Sequence, residues 1–188
     1  TFLTLDELLD MDNDRRNMLL DNTDQCFQLI RVGIPLERLL EIEYETSSHL
    51  IDKIDEVTAL LEAGLSFDEL MSSRNICFSF MENSENVIRL FRSGITFQQL
   101  NQMTLEQRKQ FLNASKEIES FIKAGITPVD LCGISFELQT EMFEHPHSVL
   151  RLLKAHIPIL KLSSEMSFIW IENEYELLKL LSFIPLIE

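Results

Sequence analysis

The sequence predicts an all-α protein, and within that class an α-solenoid of about six repeats of ~31 residues with two to three short helices each. Three observations support this prediction. A glycine junction recurs at a fixed interval, apolar residues recur at helical spacing inside each interval, and helix-capping residues recur in the same phase. The alternative, a compact helical bundle, would not require a fixed period.

Nearly the same glycine-containing sequence occurs at three junctions between predicted helices. It reads LLEAGLSFDEL at 60–70, LFRSGITFQQL at 90–100 and FIKAGITPVDL at 121–131. If the apolar residue after the glycine is taken as the first position, the repeats begin near Leu3, Ile34, Leu65, Ile95, Ile126 and Ile157. Gly33, Gly64, Gly94 and Gly125 close four of the repeats, and His156 holds the same place in the fifth.

Apolar residues follow the same phase inside each repeat. The sixth position is leucine every time, at Leu8, Leu39, Leu70, Leu100, Leu131 and Leu162. Apolar pairs come in mid-repeat and again near its end, at the intervals of three and four that define one face of a helix. One repeat cannot bury such a face alone, but stacked repeats can. We therefore expect Leu100 and Leu131 to be buried.

Capping signals divide each repeat into helices. The first helix, which can be as short as a 3₁₀ turn, begins with a capping box in TLDE (4–7), SFDE (66–69) and TFQQ (96–99). Asp12, Ser73, Ser135 and the box TLEQ (104–107) indicate the start of a second helix of ~10 residues. Thr23, Ser84 and Ser115 indicate a third helix of similar length. It ends at the glycine, which favours a left-handed conformation there.

The repeat runs through residues 1–188, which predicts a single helical-repeat domain. The sequence does not begin with Met, and IPLIE at 184–188 copies IPLER at 34–38. We therefore expect a fragment of a longer protein, with a seventh repeat beginning where this sequence stops.

The net charge and the cysteine content limit the functions and the cellular location that the sequence predicts. The chain has 31 acidic and 16 basic residues, a net charge of −15, which repels nucleic acid and anionic membrane surfaces. No run of 18 apolar residues occurs, so we expect no membrane span. Cys26, Cys77 and Cys132 are odd in number and far apart, which favours a reducing, cytosolic location.

The segments DKIDEVTALLEAGLSFDEL (52–70) and NSENVIRLFRSGITFQQL (83–100) share the pattern LLxAGIxxxxL and NxxxVxxLL. This pattern covers essentially the whole chain. It resembles the helical repeats of translocated effectors of intracellular bacteria such as Legionella. The resemblance implies secretion into a host cytosol and a host protein as partner. The repeat is also similar to mitochondrial transcription-termination repeats, which bind nucleic acid, but the acidic charge departs from that group.

Motifs for catalysis are absent from the sequence. It contains no phosphate-binding loop, dinucleotide fingerprint, zinc-protease or serine-hydrolase motif, so we expect no catalytic residue, cofactor or metal in this chain. In EHPHS (144–148), His145 and His147 near Glu144 could bind a metal. Pro146 instead falls where third helices begin and favours an exposed turn. Cys26 stands where other repeats have valine, isoleucine or leucine, which predicts a core residue.

An acidic ladder recurs once per repeat. Its members are Asp21, Asp52, Glu82, Glu144 and Glu172, with Asn113 in the fourth repeat. A row of acids or a calcium site is one interpretation. A solvated edge, or acids placed before the third helix where its dipole favours them, is the other.

The polar positions that vary between repeats are the candidates for partner recognition. Arg89, Lys123, Arg151 and Lys154 on the third helices form a predicted basic strip that could attract an acidic partner, or could be a solubilising face of isolated charges. Trp170 and Tyr175 in the sixth repeat are either core and end-cap residues or aromatic anchors for a partner.

These observations lead to one functional hypothesis with two alternatives. The leading hypothesis is a non-catalytic protein–protein interaction module, part of a bacterial effector acting in a host cell. One alternative is the substrate-positioning region of an enzyme whose catalytic domain lies outside this fragment. The other is a nucleic-acid-binding repeat, which the charge disfavours.

Overall fold

The computed structural model describes residues 5–161 and 164–183, and within these ranges the chain is helical and contains no β-strand. Five repeats contain three helices each, and the sixth opens with a 3₁₀ turn at Ile159–Lys161. The helices are α1 (Leu5–Asp10), α2 (Asn13–Asp21), α3 (Thr23–Arg31), α4 (Leu36–Glu41), α5 (Tyr44–Asp52), α6 (Ile54–Glu62), α7 (Phe67–Leu70), α8 (Arg74–Glu82), α9 (Ser84–Arg92), α10 (Phe97–Gln102), α11 (Leu105–Asn113), α12 (Ser115–Lys123), α13 (Pro128–Gly133), α14 (Phe136–Glu144), α15 (Pro146–Lys154), α16 (Ser164–Glu172) and α17 (Glu174–Phe183). This confirms the predicted all-α repeat.

Reciprocal hydrogen bonds form at the predicted capping boxes. The backbone N–H of Ser66 donates to the Glu69 carboxylate at 2.9 Å, and the Glu69 N–H donates to Ser66 Oγ at 3.2 Å. Thr96 with Gln99, and Thr104 with Gln107, repeat this exchange. Asp12, Ser73 and Ser135 cap α2, α8 and α14 as predicted. The box predicted at Thr4 and Glu7 lies outside the residues whose side chains the structure describes.

A single residue joins the second and third helices of each repeat. The third helices begin at Thr23, Ser84 and Ser115, as predicted. The joining residue is asparagine in three repeats, and its amide donates backwards to a carbonyl four residues earlier. Asn22 donates to Met18 at 2.9 Å, Asn83 to Ser79 at 2.9 Å and Asn173 to Ile169 at 2.8 Å. The side chain therefore satisfies the end of the preceding helix.

The predicted left-handed residues are present at the ends of the third helices. Gly64, Gly94 and Gly125 have φ of 102°, 93° and 108°. The Gly64 N–H donates to the Leu61 carbonyl at 3.0 Å and the Leu65 N–H to the Leu60 carbonyl at 3.2 Å, which satisfies carbonyls that the helix leaves free. His156 takes the same conformation with φ of 59°, and its backbone makes the equivalent bonds.

A buried polar residue recurs where the apolar pattern would place a hydrophobic side chain. It is the fourth residue of the second helix, and it donates to a carbonyl eight residues earlier, in the last turn of the first α-helix or at the start of the 3₁₀ turn of the sixth repeat. The bonds are Ser47 to Leu39 at 2.8 Å, Arg108 to Leu100 at 2.9 Å, Gln139 to Leu131 at 3.1 Å and Ser167 to Ile159 at 2.7 Å. Each closes a helix end that burial would otherwise leave without a donor.

The chain divides into two units, Thr1–Ile88 and Arg89–Glu188. In the first, α6 packs on α3 and on α8; in the second, α15 packs on α12 and on α17, and α14 packs on α16. Helices of successive repeats therefore pack side by side within each unit. Leu100 and Leu131 are fully buried, as predicted. A continuous solenoid and a single domain over 1–188 remain predictions.

Candidate interaction surface

The predicted basic strip lies on three third helices. Arg89 is on α9, Lys123 is the last residue of α12, and Arg151 and Lys154 are on the last two turns of α15. Lys123, Arg151 and Lys154 are exposed to solvent, whereas Arg89 is half-buried. Their cationic groups are thus open to a partner to different degrees.

Glu119 on α12 neutralises part of the strip. Its carboxylate lies 3.5 Å from the Arg89 guanidinium and 2.6 Å from the Lys123 ammonium, one helical turn away. The hydrogen bond from Lys123, aided by the charges of Lys123 and Arg89, lowers the pKa of Glu119. Glu119 therefore stays ionised under ordinary conditions, and it offsets charge that an acidic partner would otherwise meet.

Arg151 also has an acidic neighbour. Its Nε lies 3.0 Å from the carboxylate of Glu174, the first residue of α17. Glu174 is buried although it is an acid. Arg151 therefore connects α15 to α17, and part of its role is structural. Among the described residues, no acidic side chain lies within ion-pair distance of Lys154.

The two predicted aromatic residues differ in exposure. Trp170 on α16 is half-buried, and Tyr175 on α17 is exposed. Tyr175 follows Glu174 in the sequence, and α17 packs on α15. The sequence placed Leu20 and Leu180 in the recurring apolar pairs and did not predict that both are strongly exposed, in the first and sixth repeats. Their places in the outermost repeats were the signal that could have identified them.

The histidine-containing turn brings together a set of side chains that differs from the predicted one. Glu141, Glu144 and His145 place one potential ligand atom each within 4.8 Å of one another, and His147 is not in this group. His145 Nε2 already lies 3.2 Å from Glu141 one helical turn earlier. Glu144 and His145 are exposed, and Pro146 begins α15. The geometry is that of a histidine–carboxylate contact between residues one helical turn apart at a helix end.

The three cysteines are free thiols in unreactive surroundings. Cys26 and Cys77 are buried, as the core prediction for Cys26 requires. Burial raises the pKa of Cys77 and of Cys132 to about 11, and it also raises the pKa of Cys26. A nucleophilic cysteine needs the opposite shift, since the thiolate is the reactive form.

Shallow depressions occur on the described part of the chain. One, of about 220 Å³, is lined mainly by Ile126, Leu153, Pro158 and Ile159, with Asp130 at its edge. Another, of about 280 Å³, lies at the start of α9 between the acids Glu56, Glu82 and Glu85. Both are smaller than the roughly 300–1,000 Å³ of typical small-molecule sites.

The acidic ladder is exposed in all six repeats. Each member is the last residue of a second helix and precedes the third helix by two positions. The dipole of the ending helix disfavours an acid there, and the dipole of the next helix favours it. The ladder therefore agrees with a solvated edge.

Comparison of the chain with protein-family models, with curated proteins and with solved structures finds no match. Within the described ranges, the helices are too short or too polar to cross a bilayer.

Proposed function

We propose that this chain is a non-catalytic protein–protein interaction module. The observation that carries the proposal is the contrast between adjacent positions on the third helices. The seventh residue is leucine or phenylalanine in every repeat. In the first five repeats the sixth residue, next to it in the sequence, is more exposed, and its type changes from one repeat to the next: Gln28, Ala59, Arg89, Ser120 and Arg151, with Lys179 in the sixth repeat. A repeat protein with a constant core and a varied surface is suited to partner recognition.

The basic strip, in which Lys123, Arg151 and Lys154 are exposed, is the surface that we assign to an acidic protein partner. Arg89 and Arg151 share their charge with Glu119 and Glu174, so they hold the surface in place as well as contribute to it. Exposed cations of this kind act chiefly on the association rate and on its salt dependence. Tyr175, exposed on the helix that packs on α15, could serve as an aromatic anchor beside the strip.

The test uses the purified chain as bait for a partner from cell lysate, followed by kinetics with the partner recovered. The variant Lys123→Glu/Lys154→Glu should lower the association rate by about tenfold and flatten its dependence on salt. The control Lys109→Glu/Lys116→Glu makes the same change in net charge at exposed positions outside the strip. Equal losses in both variants would reduce the effect to net charge and contradict the strip.

We extend the proposal to a bacterial effector that acts on a host protein in the host cytosol. The support for this extension is the likeness of the repeat pattern to effector repeats. A reporter fusion expressed in an intracellular bacterium tests it, because reporter signal should appear in the host cytosol only when the secretion system is intact. Signal confined to the bacterium would contradict the effector role and leave the interaction module to be judged by its own test.

A further inference from the structure

The junction between α14 and α15 differs from the other junctions between second and third helices. Three repeats have an asparagine as the joining residue, the second has Lys53 and the fourth has Ala114. In the fifth repeat the joining residue is His145, which follows Glu144 and lies one helical turn after Glu141. Among the residues that the structure describes, no other three histidine, cysteine or acidic side chains come together closely enough to share one metal ion.

The distances within this group suit a first-row transition ion. One potential ligand atom of each residue lies within 4.8 Å of the other two. His145 Nε2 and Glu141 Oε1 are 3.2 Å apart. Two ligands of a tetrahedral zinc ion, with bonds of about 2.0–2.2 Å, lie about 3.3–3.6 Å from each other. The pair thus already has nearly the separation that one shared ion requires. Glu144 is exposed, so its side chain can turn toward the same ion.

The state of Glu141 is a second and independent observation. Its Oε1 is buried from water, and no donor among the described residues is aligned to hydrogen-bond it, although His145 Nε2 is near. A buried carboxylate oxygen without a donor is costly, and a bound ion is one of the recurrent reasons for finding such an atom. A cation held between Glu141 and His145 would supply the missing partner.

We propose that Glu141, Glu144 and His145 bind a zinc ion, with water in the remaining position of a tetrahedral site. An imidazole nitrogen combined with carboxylate oxygens suits zinc, whereas Ca²⁺ and Mg²⁺ select sites made of oxygen ligands. The ends of α14 and α15 meet at His145 with opposite dipoles, so the two carboxylates provide the attraction for a cation.

The proposal departs from the chain without metal that the sequence motifs predicted. The histidine-containing turn at 144–148 was considered with His147, whereas Glu141 lies before it and reaches His145 only because α14 is helical. The site is flanked by repeats on both sides: α14 packs on α16, and α15 packs on α12 and on α17. It does not involve the basic strip, and its test needs only the purified chain and zinc chloride.

Isothermal titration of the full chain with zinc chloride, in a buffer that does not bind zinc, is the first measurement. We expect one ion per chain. His145→Ala should weaken binding at least about 100-fold, and Glu141→Gln and Glu144→Gln at least about tenfold each, since losing a ligand costs no less than losing the residue that orients it. Alanine already stands at the joining position of the fourth repeat, as Ala114, so the fold accepts it there.

His147→Ala is the matched control. It also removes one exposed histidine, two residues along the chain and outside the group of ligand atoms. Its affinity for zinc should stay within about twofold of that of the wild-type chain, whereas a ligand would cost far more. An equal loss in the His145→Ala and His147→Ala variants would mean that surface histidines bind zinc without a defined site, which would overturn the proposal.

Two further measurements separate a zinc site from a patch of negative charge. Calcium chloride at about 1 mM should not displace the zinc, because calcium selects oxygen ligands and a histidine offers none. Zinc should raise the Tm of the wild-type chain, since it binds the folded state, and should leave the Tm of His145→Ala unchanged. If circular dichroism shows that His145→Ala folds poorly, His145→Asn introduces the residue that joins these helices in three other repeats.

The outcomes that contradict the site are specific. A wild-type chain that binds no zinc, a His145→Ala or His145→Asn chain that binds it as tightly as the wild type, or displacement by calcium at equal concentration would each overturn the proposal. Loss of the interaction proposed for the basic strip would leave it unaffected, because neither the ligands nor the measurements involve that surface.

Discussion

In each of the first five repeats, the third helix ends at a residue with a left-handed backbone conformation. Gly125 has φ of 108°, and no atom lies within 4 Å of where a Cβ would be. Backbone strain alone therefore opposes a side chain there. His156 holds the equivalent place with φ of 59° and accepts that strain. The sequence predicted the left-handed glycines, because a position that needs φ > 0 recurs in phase and favours glycine. It placed His156 at the equivalent position but did not predict its left-handed backbone.

His156→Gly and Gly125→Ala should change stability in opposite directions. His156→Gly relieves a left-handed non-glycine residue and should raise the free energy of unfolding by about 1 kcal/mol. Gly125→Ala should lower it by about 1 kcal/mol or more, because alanine is strained at positive φ. Urea denaturation measures both. Gly133→Ala, in α13 with open space around the Cβ position, is the control and should cause no loss. Equal stability of all four proteins would contradict the conformational argument.

At the scale of helices, the sequence was most informative where one residue type acts locally. The hydroxyl caps, the glycines that end helices and the regularly spaced leucines depend only on residues a few positions away in the sequence. The structure contains all three features. The buried donors Ser47, Arg108 and Gln139 were missed, because a polar residue on an apolar face has no fixed type. Their shared role is to donate to a carbonyl in the last turn of the first helix, and it becomes visible only when the two helices are packed.

The ion pair between α15 and α17 provides a test at this scale. Arg151→Ala leaves the buried Glu174 without its 3.0 Å partner. Because Arg151 is itself half exposed, the expected loss is about 1–2 kcal/mol, below that of a fully buried pair. Glu174→Gln removes the uncompensated charge and should recover part of the loss in the Arg151→Ala background. Chemical denaturation of the four proteins of this double-mutant cycle gives the coupling energy.

Lys154→Ala is the matched control for this cycle. It removes a cation from the same helix, at a position with no acidic side chain within ion-pair distance among the described residues. It should change the free energy of unfolding by less than about 0.5 kcal/mol. A coupling energy near zero between Arg151 and Glu174 would mean that water already compensates Glu174.

At the scale of the whole molecule, charge placement was only partly predictable. The sequence predicted an acidic chain with a basic strip. It did not predict that Glu119 would meet Arg89 or that Glu174 would meet Arg151, because each pair joins positions more than 20 residues apart. A period shows which residues occupy equivalent positions, but it does not show which side chains of neighbouring repeats touch. The net positive charge of the strip is therefore smaller than the summed charge of its four basic residues.

The surplus of acids over bases leads to a last prediction, on salt. Most of the ion pairs are exposed, and such pairs contribute little each, whereas a net charge of −15 acts against the folded chain as a whole. Raising NaCl from about 20 mM to about 500 mM should therefore stabilise the fold by about 1 kcal/mol, or about 2–4 °C in Tm.

Asp52→Asn/Glu82→Gln, which neutralises two exposed ladder acids, should raise Tm at low salt and reduce the response of Tm to salt. Near pH 4.6, where the net charge vanishes, the stabilisation should disappear. Thermal melts by circular dichroism measure each response. A Tm that falls with salt at neutral pH would mean that the ion pairs between repeats outweigh the repulsion.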